Sequence, residues 1–310
     1  MPRPGYDRGV HRARQAPRTV VGLVLIALAA ISWGTSGSVM TVLAERAAAS
    51  PLLVGVARLW IAAVFLLAAT VATAQPFALA TADRWRCVAM GVCMAAYQIA
   101  YFTAVTLGGI AVVALVAICS APLMIAALAP WLLGERLAPR VRGALLLGVV
   151  GTALLVAGPS GTLELSARFL AGVLLAFVAG LAYALYVLAA KATLRHAAPL
   201  PTTAITFTIG AILLTPALAW TTAPWTQTTL GWPWLLYLGG VATAGAYAIY
   251  TLGLRIVPAS VAGITSLLEP LTATILGVAI FGERLGGAGA VGALLLVTAL
   301  GLLLTGRDRR

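Results

Sequence analysis

Charge is what this sequence has least of. Asp, Glu, Lys and Arg make up 9% of 310 residues against 62% hydrophobic ones, with a mean hydropathy of +1.03. That leaves too little polar surface to clothe a water-soluble domain of this length. Histidine is almost missing, with His11 and His196 alone, and neither has a second ligand at metal spacing. The three cysteines, Cys87, Cys93 and Cys119, lie in or beside apolar runs; they read as small packing residues rather than a metal site or disulfide framework. No phosphate-binding loop is present to couple the chain to ATP. The one dinucleotide-like pattern, Gly287-x-Gly289-x-x-Gly292, falls inside an apolar run with no strand before it and reads as close helix packing, like Gly148 and Gly151. No cluster of acid, base and nucleophile shares one depth, so an enzyme is not expected, nor a metal or cofactor.

What is abundant is apolar length. Runs of about 20 residues, each enough to cross a ~30 Å hydrocarbon core, recur at 20–40, 52–74, 87–107, 110–133, 142–158, 169–190, 202–220, 232–254, 257–281 and 285–305. They lack the alternation of a membrane barrel, and a lone span must satisfy its own backbone, which favours helix. The expected fold is an all-α integral membrane protein of ten transmembrane helices. Its first run is longer than the core of a signal peptide and is followed by more spans, so an uncleaved first helix is expected.

The net charge of +12 sits at the ends of these runs. It does not form a stripe with interleaved aromatics, so the reading is of topology signals and not of nucleic-acid binding. Starting with the N-terminal tail inside, that side collects Arg3, Arg8, Arg12, Arg14 and Arg18, then Arg84 and Arg86, then Arg136, Arg140 and Arg142, then Lys191 and Arg195, Arg255, and Arg307, Arg309 and Arg310. Only Arg46, Arg58, Arg168 and Arg284 are left for the other side or the spans. The rule places both termini in the cytoplasm.

The chain also repeats itself. Laid on itself at an offset of 148, the stretch 102–137 matches 250–285 without a gap, with 11 of 36 positions identical. Each copy is an apolar run with a central proline, Pro122 or Pro270, closed by Gly-Glu-Arg-Leu at 134–137 or 282–285. With ten spans the first Gly-Glu-Arg-Leu faces the cytoplasm and the second faces outward, so the two five-helix repeats are expected to be inverted. That is an architecture of secondary transporters, in which the pathway lies between the halves. The organisation expected is a disordered basic tail at 1–18, a first repeat at 19–158, a linker at 159–168, a second repeat at 169–306 and a short basic tail at 307–310.

These residues resemble the drug/metabolite transporter superfamily, and within it the EamA-type ten-helix carriers. The resemblance rests on Ser32-Trp33-Gly34, on Val56-Ala57-Arg58-Leu59, on Ala246-Tyr247, on Leu268-Glu269-Pro270-Leu271 and on the Gly-Glu-Arg-Leu ends. It implies an inner-membrane carrier that commonly exports amino acids or other small metabolites. Ala121 stands where the second half has Glu269, which argues against a two-carboxylate mechanism.

Site candidates follow from cost, since an ionisable group at the centre of a span costs about 2.5–3.5 kcal/mol. Glu269 is near the middle of the ninth run beside Pro270, and suits proton coupling or pairing with a substrate amine. Arg58 can meet a substrate carboxylate or snorkel to the headgroups. Tyr97, Gln98 and Tyr101 in span three, Tyr183 and Tyr186 in span six, Tyr247 and Tyr250 in span eight, and Trp33 in span one are polar aromatics and an amide that need partners when buried. Together they point to a wet central cavity, with Pro122 and Pro270 as helix breaks. The function expected is export of a small organic solute, an amino acid or related metabolite, by alternating access, with protons as a candidate coupling ion. Efflux of amphipathic cationic drugs is the second reading, and a membrane scaffold or sensor the third. A monomer is the default, because a duplicated chain already holds both halves; small-residue faces on spans five and ten leave a homodimer open.

Overall fold

A computed structural model describes residues 6–47, 50–108, 110–156, 166–220, 231–282 and 286–304. Among these the structure is entirely helical: α1 Tyr6–Gly34, α2 Ser36–Ala47, α3 Pro51–Ala72, α4 Thr81–Gly108, α5 Ile110–Leu133, α6 Pro139–Val156, α7 Ala167–Thr193, α8 Pro199–Leu214, α9 Trp232–Leu236, α10 Ala246–Ile256, α11 Ala259–Thr265, α12 Leu268–Phe281 and α13 Gly287–Leu304. A 3-10 segment, Thr215–Trp220, follows α8, and a π-helical segment, Tyr237–Gly245, joins α9 to α10.

Nine membrane spans long and apolar enough to cross a bilayer are found among the described residues. The fifth run expected from the sequence is α6, which is not one of the nine; it is described only over Pro139–Val156 and opens with Arg140 and Arg142. Four expected spans depart from one continuous α-helix, the seventh by turning to the 3-10 segment at Thr215. The first breaks at Thr35, where the Thr35 hydroxyl donates to the Ser32 carbonyl at 2.7 Å. The eighth contains the π segment, and the ninth is split into α11 and α12 at Ser266 and Leu267. At its start the first span also departs from expectation: α1 is helical from Tyr6, within the stretch read as a disordered tail. Arginine is a good helix former, and extending a helix already nucleated by a span needs no second nucleus. Residues 159–165 of the expected 159–168 linker and the tail at 307–310 lie outside the described residues; the linker's last two residues, Ala167 and Arg168, already belong to α7.

Lipid gives helices no hydrophobic reason to associate, so packing must come from close approach of small residues. Here the approaches are reciprocal. A side chain on Gly91 of α4 would collide with Ile209 of α8, and one on Gly239 of the π segment would collide with Ile61 of α3. These pairs are related by the same 148-residue offset as the sequence repeat. Likewise a Cβ on Gly151 of α6 would lie 2.8 Å from the Gly292 carbonyl of α13, and a Cβ on Gly292 would lie 2.5 Å from the Gly151 carbonyl. Whole helices pair the same way: α4 on α7 and α1 on α10, α5 on α7 and α1 on α12, with α3·α8 and α6·α13 as self-related pairs.

The Gly-Glu-Arg-Leu ends have a backbone cause. Gly134 and Gly282 both adopt φ +68° after α5 and α12, a left-handed conformation that glycine adopts without strain. Glu135 then turns across the molecule. Its carboxylate accepts from Ala259 N at 2.7 Å, Ser260 N at 3.3 Å and Ser260 Oγ at 3.1 Å, capping α11 of the other half. Beside it Lys191 Nζ donates to the Leu254 and Val257 carbonyls at 2.7 Å, and Arg195 donates to the Leu133 carbonyl at 2.9 Å. Glu135 and Arg195 thus tie the halves together at the α5–α6 end of the bundle, while Lys191 ties α7 to α10 within the second half. Glu283, Arg284 and Leu285 lie outside the described residues.

Candidate functional site

The opposite end is open. A cavity of about 960 Å³ enters between the C-terminal ends of α2, α4, α6 and α12 and the start of α3 and α13, where Met40, Pro51, Val105, Leu155 and Gly287 line it. It narrows to a deeper chamber of about 100 Å³ floored by Met94, Ile125 and Gly263. Both chambers share Trp33, Arg58, Tyr97, Gln98, Tyr101 and Glu269. At this size the cavity takes a small organic molecule.

Glu269 owes its position to the break in the ninth span. In an unbroken helix residue 270 would donate to the Ser266 carbonyl, but Pro270 has no N–H and its ring crowds that carbonyl. Ser266 O accepts from Glu269 N instead, at 3.0 Å. The chain restarts as α12 with Glu269 in its first turn, where free backbone N–H groups favour an anion. The same break explains Ser32-Trp33-Gly34. A Cβ on Gly34 would lie 2.7 Å from the Glu269 carbonyl, so only glycine lets α1 cross α12 there. Trp33 is thereby set against the restart of α12.

Arg58 comes from the other half. Ser50 caps α3 by accepting from Leu53 N at 3.2 Å, and Pro51 fills the first helical position. Arg58 follows seven residues later, roughly 10 Å down the helix, and does not stop at the surface. Its Nε donates to Thr243 Oγ1 at 3.1 Å. Among the described residues Arg58 and Glu269 form no ion pair with each other or with any other side chain. A cation and an anion therefore stand unpaired on the wall of one cavity.

The aromatic candidates form a connected lining. Trp33 meets Tyr247 at 4.9 Å, Tyr250 at 5.1 Å and Tyr183 at 6.5 Å between ring centroids. Tyr97 stacks on Tyr101 at 5.7 Å and contacts Tyr183 at 5.9 Å. Tyr97, Gln98 and Tyr101, together with Tyr183 and Tyr247, reach the cavity. Tyr186 and Tyr250 do not: they are 1% and 0% exposed and sit behind the wall, packed on Tyr247. Pro122 and Pro270 both line the cavity, yet α5 runs through Pro122 unbroken. Buried polar atoms on the wall, Trp33 Nε1 and Ser36 Oγ among them, have no hydrogen-bond partner, which leaves donors for a bound molecule. Reading the sequence did not single out Ser36, Thr243 or Ser266; small hydroxyls in apolar helices are common, and nothing in their spacing marked these three.

An inner cavity between two duplicated halves, closed at one end, is the form of a carrier, and the comparisons agree. The sequence pattern of the EamA-like transporter family matches residues 20–157 and again 170–305. The chain belongs to that family. It is thus a multi-pass membrane transporter built from two EamA-like units. Among its relatives is the uncharacterized transporter YwfM of Bacillus subtilis (strain 168), 38% identical over 283 residues that cover 91% of this chain and 92% of that one. An uncharacterized transporter of Archaeoglobus fulgidus is 29% identical over 178 residues, 57% of this chain and 60% of its own. A crystal structure of another protein superposes with a TM-score of 0.75 at 22% identity, over 93% of this chain and 96% of its own; at that identity the likeness bears on the fold alone.

Proposed function

We propose that this EamA-like transporter exports a small zwitterionic solute, an amino acid or related metabolite, across the inner membrane by alternating access between two inverted five-helix halves. The observation that carries the reading is the unpaired couple of Arg58 and Glu269 on one cavity wall. An α-carboxylate matches the guanidinium fork and an α-ammonium matches the carboxylate, each gaining a charge-assisted hydrogen bond. Reciprocal contacts at the 148-residue offset support the two-fold relation of the halves, and an odd number of spans per half turns the second one over. With both termini cytoplasmic, the open end is the outer face and the Glu135 contacts close the inner one.

A second reading, efflux of an amphipathic cation, is favoured by the ring of Trp33, Tyr97 and Tyr247 around a single carboxylate. Uptake of a radiolabelled amino-acid panel and of one lipophilic cation into proteoliposomes, with and without a proton gradient, separates the two. Amino-acid flux that follows the gradient, and loses that dependence in Glu269→Gln, is the expected result. Flux of the cation alone gives the site to the second reading.

A further inference from the structure

Arg58 lies in a cavity with free volume on its far side, and a long side chain there has several rotamers available. What fixes it is a threonine. Thr243 is 1% exposed and sits in the π-helical segment Tyr237–Gly245. Its hydroxyl donates to the Leu238 carbonyl at 2.6 Å, five residues back. Elsewhere in these helices the threonine hydroxyls that bond back reach three or, mostly, four residues, as Thr70 does to Leu66, Thr193 to Ala189 and Thr272 to Leu268. The five-residue reach belongs to the wider π winding. Since a hydroxyl has one proton and that proton is given to Leu238, the oxygen is left as an acceptor only. The donor it receives is Arg58 Nε, at 3.1 Å.

We infer that Thr243 is a positioning residue for substrate recognition: by holding Arg58 Nε, it turns the two terminal nitrogens of the guanidinium into the cavity as a fork for a carboxylate. This deepens, and rests on, the reading of the site as one for a zwitterionic solute. The local backbone is shaped for it. Gly239, one turn before Thr243, has no room for a side chain because Ile61 and the Arg58 carbonyl press against it, so the π segment lies directly on the turn of α3 that carries Arg58. A regular helix would carry residue 243 to a different angle around the axis and end the contact. Gln98 and Tyr97, on the facing α4, offer no bond to Arg58 that would replace it.

The test uses the full chain in proteoliposomes and the probe is the amino acid of highest flux in a mixture of twenty 14C-labelled L-amino acids, competed by the same unlabelled amino acid or by its methyl ester, which lacks the carboxylate charge. Wild type is expected to discriminate against the ester. Thr243→Val, which keeps shape and removes the acceptor, is expected to weaken the free acid about tenfold, the effect of one hydrogen bond to a charged group, and the ester hardly at all. Thr243→Ser restores the preference. Equal weakening of acid and ester makes Thr243 merely structural and overturns the inference, as does an unchanged acid-to-ester ratio. A wild type that moves none of the twenty overturns the parent reading and the role with it.

Discussion

The two halves are alike where they pack and unlike where they face the cavity. At these packing positions the likeness is residue for residue: Gly91 against Ile209 mirrors Gly239 against Ile61. At the cavity the first half keeps regular α-helix through Pro122, whereas the second breaks at Ser266 and Leu267 and winds into a π segment at Tyr237–Gly245. Ala121 occupies the first-half position of Glu269. The scaffold is held symmetric by sterics, since neither Gly91 nor Gly239 has room for an added atom. The site is asymmetric, as the two different ends of the proposed zwitterion require.

The largest effect should come from moving the carboxylate between halves. Glu269→Ala is expected to reduce transport by about 30-fold or more, the loss of a charge-assisted bond worth about 2 kcal/mol, and adding Ala121→Glu should not restore it. The unbroken α5 presents residue 121 without the helix start that Glu269 enjoys. Recovered flux in the double variant, measured in proteoliposomes, would make the halves interchangeable and break the comparison. Next in size is a test of the packing likeness. Gly91→Val and Gly239→Val should each destabilise the protein by about 1–3 kcal/mol, as overpacking does, and by similar amounts. Thermal unfolding in detergent reads this; a large difference between the two would mean that the reciprocal contacts are not equivalent.

The smallest effect concerns the closed end. Glu135→Ala removes a helix cap worth about 1 kcal/mol, which is expected to shift the equilibrium constant by about fivefold away from the state open at the α2–α3 end. With Cys87, Cys93 and Cys119 replaced by alanine, a Ser36→Cys reporter on the cavity wall should then be alkylated more slowly from that side, by up to about fivefold. An unchanged rate would show that Lys191 and Arg195 hold the end without Glu135.

Much of this was legible before any coordinates. Spans are read from apolar length because bilayer thickness is fixed, and the duplication is visible because Pro122, Pro270 and the two Gly-Glu-Arg-Leu ends punctuate each copy. Glu269 and Arg58 stood out by the cost of burying charge. What could not be read were features that depend on a partner distant in sequence. Tyr186 and Tyr250 have the same spacing as lining tyrosines, yet Trp33 and Tyr247 separate them from the cavity. Thr243 gains meaning only from Arg58, 185 residues away. Glu135 stands just past the end of its own helix, yet the helix it caps is α11, in the other half.

The paired contacts of Gly91 with Ile209 and of Gly239 with Ile61 bear on how such a chain arises. They are one contact made twice at the 148-residue offset, so under the proposed inversion a single undoubled half would carry a face complementary to its own copy turned over. Two separate copies, inserted in opposite senses, would pair through it. In a homodimer of such a half every substitution appears twice, and a carboxylate at the Glu269 position brings a second one opposite. Joining two copies end to end frees each half to change alone. The acquisition of one acid facing one guanidinium is a step that fusion makes available and that a homodimer, bound to its own symmetry, cannot take.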